Sequence, residues 1–246
     1  MCPGPIALDR LSYVLINPKR VRTFIAPLAG LIVFASLLWL SQAAYGGADF
    51  DRMLTALTQR WGAGTTTKFN AWQSLIQGNR TSNDTERLKR TNDFFNRHIL
   101  FSDDTAVWGQ EDYWATPLET LGKGSGDCED FVIAKYFTLK EMGVESNKLR
   151  LIYVRAKTGT SDSTASQAHM VLAYYPKPEA EPLVLDNLIG DIRPASRRTD
   201  LVPVFSFNSE GIFTGVSAKE TTPAAGTGRL SRWEDLLKRA RAEGFE

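Results

Sequence analysis

Apolar residues recur at helical spacing early in the chain. Phe50, Met53, Leu54, Leu57 and Trp61 form one stripe, and Phe69, Trp72, Leu75 and Ile76 form a second after the break at Gly62 and Gly64. A third, Leu88, Phe94, Phe95 and Ile99, runs through the otherwise polar segment 84–100. Aromatics at such spacing predict core-facing helix positions before any binding box. Residues 101–126, rich in Asp, Trp, Gly and Pro, read as a long loop. A helix is predicted over 128–142, closed by Gly143, a residue suited to the left-handed C-terminal position. After it the pattern turns to strands: LRLIYV (149–154), HMVLAYY (169–175) and PLVLDNL (182–188). The tail predicts an amphipathic helix, with Ser231 and Glu234 spaced as a capping box and Trp233, Leu236, Leu237 and Ala240 as its apolar face. Helices first and an antiparallel sheet second define an α+β chain.

One apolar run stands apart. Residues 24–40, FIAPLAGLIVFASLLWL, follow Lys19, Arg20 and Arg22 and lead into Ser41, Gln42, Ala43 and Ala44. A basic flank, an apolar centre and a small-residue exit are the pattern of a secretory signal. The run with its Pro27 also allows an uncleaved anchor. Either reading puts the residues after about 45 outside the cytoplasm. The expected organisation is therefore 1–45 as signal or anchor, 46–220 as the main domain, and 221–246 as linker and terminal helix. A net charge of +1 over 246 residues offers no electrostatic ground for a nucleic-acid partner. Of the two cysteines, Cys2 precedes the apolar run, so an exported chain keeps Cys128 alone. A lone thiol in an oxidising compartment is either buried and inert or retained for its reactivity.

Its surroundings favour reactivity. Gly124-Ser125-Gly126-Asp127-Cys128-Glu129-Asp130 leads directly into the apolar helix, with Asp127 at the expected N-cap and Cys128 in the first turn. Unpaired backbone N–H groups there favour an anion, and the thiolate is the nucleophilic form. Two histidines exist; His98 precedes the cysteine on a helix and reads as structural, whereas His169 opens a strand. Asp186 then interrupts the apolar run LVLDNL, where a carboxylate is costly unless it is bonded. Adjacent antiparallel strands would let Asp186 orient His169 against Cys128, supplying nucleophile, base and orienter. Each residue alone has an ordinary packing explanation. The set together has none as economical.

At these residues the chain resembles the papain/transglutaminase-like superfamily. WGQEDYWATPLETLGKGSGDCEDF, LRLIYV, AHMVLAYYP, PLVLDN and DLVPVFSFN are similar to the bacterial transglutaminase-like cysteine proteinases of the LapG type, over about residues 48–216. That resemblance implies a periplasmic cysteine endopeptidase that cuts the N-terminal region of a large surface adhesin at an alanine pair, releasing it and dispersing a biofilm. It also implies sequestration by an inner-membrane cyclic di-GMP receptor. Finally it implies Ca2+ dependence, with acids beside the cysteine as ligands, here Asp127 and Glu129.

The acids point the same way on physical grounds. Asp127, Glu129 and Asp130 crowd Cys128 with like charge that opposes the thiolate, and a hard cation on those oxygens would relieve it. Acids in a first helical turn also stabilise the helix with no metal at all. Asp130 is the weaker ligand candidate because the three do not share one helix face. Asp103 and Asp104 offer further oxygens from the loop. The backbone N–H of Cys128 is the natural first oxyanion donor, with a second expected from the loop carrying Trp108, Gln110, Tyr113 and Trp114. Two other functions stay open: acyl transfer to an amine by the same residues, and a non-catalytic binding module.

Overall fold

Asp49 accepts a hydrogen bond from the Arg52 backbone N–H at 3.0 Å and starts helix α1, Phe50–Trp61, in the computed structural model, which describes residues 49–158, 165–214 and 227–245. The run 24–40 and its basic flank lie outside these residues. Among the described residues no helix is long and apolar enough to cross a membrane. The stripes read from the sequence form α1, α2 (Thr66–Asn79) and α3 (Asp84–His98), and they bury Met53, Leu57, Phe69, Trp72, Ile76, Leu88 and Phe95.

The expected 101–126 loop is more ordered than its composition suggests. It holds strand β1 (Leu100–Phe101), helices α4 (Asp104–Trp108) and α5 (Pro117–Lys123), and strand β2 (Ser125–Gly126), which pairs parallel with β1. The Thr116–Glu119 capping box and Pro117 start α5, so the proline that looked like a breaker is a first-turn residue. Helix α6, Cys128–Glu141, is buried on every side from Asp130 to Leu139 and runs between α3 and the sheet. That all-round burial matches its lack of a polar face.

The sheet has strands β3 (Leu149–Lys157), β4 (Ser166–Tyr174), β5 (Leu183–Leu185), β6 (Arg193–Pro194), β7 (Leu201–Phe207) and β8 (Ile212–Thr214). Their order is β6-β5-β4-β3-β7-β8, with every pairing antiparallel. The period-two pattern splits the apolar residues. Leu151, Met170 and Leu172 join the main core with α6, and Ile152, Val154, Val171 and Ala173 form a second cluster.

The tail helix α7 spans Thr227–Glu243, so Ser231 lies inside it and is not the cap that the Ser231–Glu234 spacing suggested. Trp233, Leu236, Ala240 and Phe245 enter the main core, and Trp233 meets Tyr136 and Phe207 edge-on while its Nε1 donates to the Asn208 carbonyl. Trp233→Ala is therefore expected to cost about 3–5 kcal/mol in urea unfolding. An unchanged midpoint would make α7 an appendage.

Candidate active site

The turn into α6 is shaped by close contact. A Cβ on Gly126 would lie 2.5 Å from Asp130 Oδ2, so only glycine lets the Asp130 side chain fold back beneath the turn. Asp127 occupies the N-cap as expected, but its side chain makes no capping hydrogen bond. Its Oδ1 is buried and has no partner among the described residues.

Cys128 takes the first position of α6, half-buried, and its thiol donates to Glu129 Oε2 at 2.9 Å. Burial first, then the Glu129 and Asp127 charges, push the thiol well above its ordinary range. Only the Met170 backbone N–H, on β4 next to His169, opposes them. The Glu129 and Asp127 charges act in the direction that the like-charge argument anticipated, after burial.

His169 sits within β4, where the strand passes from exposed to buried, and does not open the strand as its sequence position suggested. It is 3% exposed. Asp186 lies just beyond β5, whose ladder stops at Leu185. The carboxylate accepts from its own chain at the Leu188 N–H, a local bond that competes with strand pairing. His169 Nε2 and Asp186 Oδ1 are 2.8 Å apart. With Nε2 engaged as a donor to the carboxylate, the neutral ring keeps Nδ1 free to accept a proton. Arg198 Nη2 donates to the other oxygen, Asp186 Oδ2, at 2.7 Å. Although burial works against it, these donors hold the Asp186 carboxyl down at about 2. Its backbone carbonyl takes two further donors, Asn96 Nδ2 at 2.8 Å and Lys135 Nζ at 3.2 Å. Burial pulls that lysine down to about 7.

A second cluster adjoins the thiol. Asp104, Asp127 and Asp130 each place an oxygen within 4.8 Å of the others, as do Asp104, Asp112 and Glu129. Asp130 Oδ1 accepts from the Ala115 N–H at 2.8 Å and Asp104 Oδ2 from the Tyr113 N–H, yet the second oxygen of each is buried and has no hydrogen-bond partner among the described residues. Burial and mutual charge raise Asp104 to about 6, Asp127 to about 9 and Asp130 well above its ordinary range. Hard, unshared carboxylate oxygens converging from two elements are the donor set that a calcium-like cation requires, so the residues fit such an ion. Asp130, discounted on helix-face grounds, joins this cluster because α4 brings Asp104 to its side of the helix.

Sequence reasoning missed Arg198 and Asp112. Neither carries a local signal, since Arg198 is one of several arginines in 193–198. The loop aromatics expected near the oxyanion are tied to their own surroundings, and Trp114 stacks on Phe207 in the main core. Tyr113 Oη donates to Glu119, Trp114 Nε1 to Asp112, and Trp108 packs on Tyr113. His98 is structural, with Nδ1 on the Phe94 carbonyl and its ring stacked on Phe94.

The profile of bacterial transglutaminase-like cysteine proteinases (BTLCP) matches residues 69–201. The chain is similar to the solved structure of Legionella pneumophila LapG, with 37% identity over 79% of this chain and 99% of that one, at a TM-score of 0.64. A calcium-bound structure of the same Legionella protein matches at 39% identity over 76% and 96%, TM-score 0.63. An EGTA-treated one gives 37%, 79%, 99% and 0.64. No curated protein matches the chain.

Proposed function

Because the chain belongs to the bacterial transglutaminase-like cysteine proteinases, we propose that it is a calcium-dependent cysteine endopeptidase with Cys128 as nucleophile, His169 as base and Asp186 as orienting carboxylate. The observation that carries this reading is the buried bond between His169 on β4 and Asp186 just beyond β5, with β4 packed against the helix that starts with Cys128, a free thiol.

The chemistry follows from that arrangement. His169 Nδ1 takes the thiol proton as the sulfur attacks the scissile carbonyl, and Asp186 stabilises the imidazolium through Nε2. The oxyanion forms near the unpaired N–H groups of the α6 start, the Cys128 N–H among them. Collapse expels the amine, which leaves with the His169 proton, and a thioester remains on Cys128. Water, deprotonated at the same nitrogen, then releases the acid and restores the thiol. Asp127, Glu129 and Asp130 would hold calcium, with Asp104 and Asp112 completing the oxygen set. The ion supplies positive charge that cancels the carboxylate field around the sulfur.

The substrate we propose is the N-terminal region of a large surface adhesin, cut at an alanine pair in the periplasm so that the biofilm disperses. An inner-membrane cyclic di-GMP receptor is the proposed sequestering partner. The resemblance of the motifs around Cys128, His169 and Asp186 supports both, and the basic-flanked run 24–40 supports export. Incubating the purified protein with an alanine-pair adhesin fragment tests the reading. A single cut, with a Cys128 thioester trapped by acid quench and seen by mass spectrometry, is expected. A labelled amine appearing on the new carboxyl end would instead make the chain an acyltransferase.

A further inference from the structure

Resting on the reading of Cys128, His169 and Asp186 above, we propose that Arg198 is a positioning residue of this catalytic centre, holding the outer oxygen of Asp186 so that the inner one stays aimed at His169 Nε2. The guanidinium is 2% exposed and bridges two carboxylates. Nη2 reaches Asp186 Oδ2 at 2.7 Å, while Nε and Nη2 grip Asp200 at 3.0 and 2.8 Å. Such a fork-to-fork grip fixes the plane of the arginine as well as its charge. Asp200 immediately precedes β7, so the fixed point belongs to the sheet and not to a free loop.

The remainder of Asp186 is already held. Its carbonyl is bound from α3 by Asn96 and from α6 by Lys135. What these bonds leave free is rotation of the carboxylate about its own bond. Both His169 and the Leu188 N–H address Oδ1, and Arg198 is the side chain that addresses Oδ2. Removing it leaves a buried carboxylate with one oxygen undirected. The group is then free to turn toward Leu188 or Lys135 and away from the imidazole. A guanidinium taken this far from water loses much hydration, and a simple loop strut would do its work at the surface. Burial against the orienting carboxylate places Arg198 where it acts through Asp186, without touching substrate.

A strut and a positioning residue separate in kinetics. Loss of a strut lowers the folded fraction but not kcat per folded molecule. Loss of positioning lowers kcat and leaves KM, because the substrate does not contact Arg198. The experiment is steady-state cleavage of the alanine-pair adhesin fragment by the purified protein with calcium, corrected for folded fraction. Arg198→Met is expected to lower kcat by about 10- to 100-fold with KM within about twofold, the range seen when an outer hydrogen-bond partner is removed. Arg198→Lys restores part of that loss, since one ammonium can reach Asp186 but cannot fork across both acids. Asp200→Asn, on a partly exposed side chain, keeps the arginine but loosens its grip, and lowers kcat by about 3- to 10-fold. The proton NMR signal of the His169 Nε2–H moves in the same variants. Full kcat and an unmoved signal in Arg198→Met overturn the proposal. If that protein does not fold, the same result in Asp200→Asn overturns it. Cys128→Ala and His169→Ala run beside them: activity surviving in those two sinks the triad itself, whereas their inactivity beside a fully active Arg198→Met sinks only the role of Arg198.

Discussion

Cys128→Ala abolishes cleavage, with kcat falling by about 10^6-fold to the background set by binding and the oxyanion donors. The size follows from the cooperation of the proposed catalytic group. A nucleophile, a base on β4 and an orienting acid beyond β5 act as one unit, so loss of the first leaves the others nothing to activate. His169→Ala is expected to match it within about tenfold, and Asp186→Asn to cost about 10^4-fold by spoiling the tautomer. None of this should come from unfolding in the cysteine variant. The thiol is half-buried at a helix start, and alanine keeps the helix. Far-UV circular dichroism and the urea midpoint of Cys128→Ala should therefore match the parent. Cleavage persisting in this variant would remove Cys128 as the nucleophile, whereas lost cleavage with an unchanged biological effect would favour a binding module.

EGTA is expected to stop cleavage and to lower stability together, by about 2.7 kcal/mol when calcium had stood at about a hundred times its Kd. The pH dependence gives this result a distinctive sign. Asp104, Asp127 and Asp130 are raised above their unfolded values by burial and by one another. The native chain therefore binds more protons than the unfolded one. Their stabilisation is complete below about pH 4 and is lost as pH rises through about 6 for Asp104 and about 9 for Asp127. In EGTA the melting temperature should fall as pH climbs over that window, the reverse of an ordinary carboxylate, and calcium should flatten the slope. Asp130→Asn removes the cost of keeping a buried acid protonated, so it should stabilise the chelated protein at pH 7 while abolishing the stabilisation by calcium. A melting temperature in EGTA that is level from pH 4 to 8, or an Asp130→Asn protein still stabilised by calcium, would rule out the cluster as the site.

The two clusters differ in how readily the sequence shows them. Cys128, His169 and Asp186 are legible because each breaks its local pattern: a thiol after Gly-Asp at a helix start, a histidine on an apolar strand, a carboxylate in LVLDNL. The Asp127-Cys128-Glu129-Asp130 string exposes the electrostatic conflict around the sulfur in the same way. Ser231 misled because a capping-box spacing recurs inside amphipathic helices, and here the helix begins four residues earlier, at Thr227. Residues 101–126 misled because Gly and Pro mark helix ends as well as loops. Pro117 begins α5, and Gly124 ends it with a φ of 70°.

By itself the chain determined its α+β order, its core stripes and the candidates for the reacting side chains, since periodicity and local pattern-breaking are written in neighbouring residues. Tertiary structure alone decided that Asp104 and Asp112 converge on the acids of α6 and that Arg198 reaches Asp186. It also decided that Gly126 must be glycine for Asp130 to tuck beneath the turn. These contacts join residues whose separation in sequence says nothing of their distance. They become specific only when β3 and β4 pack on α6 and burial makes an unmatched charge costly.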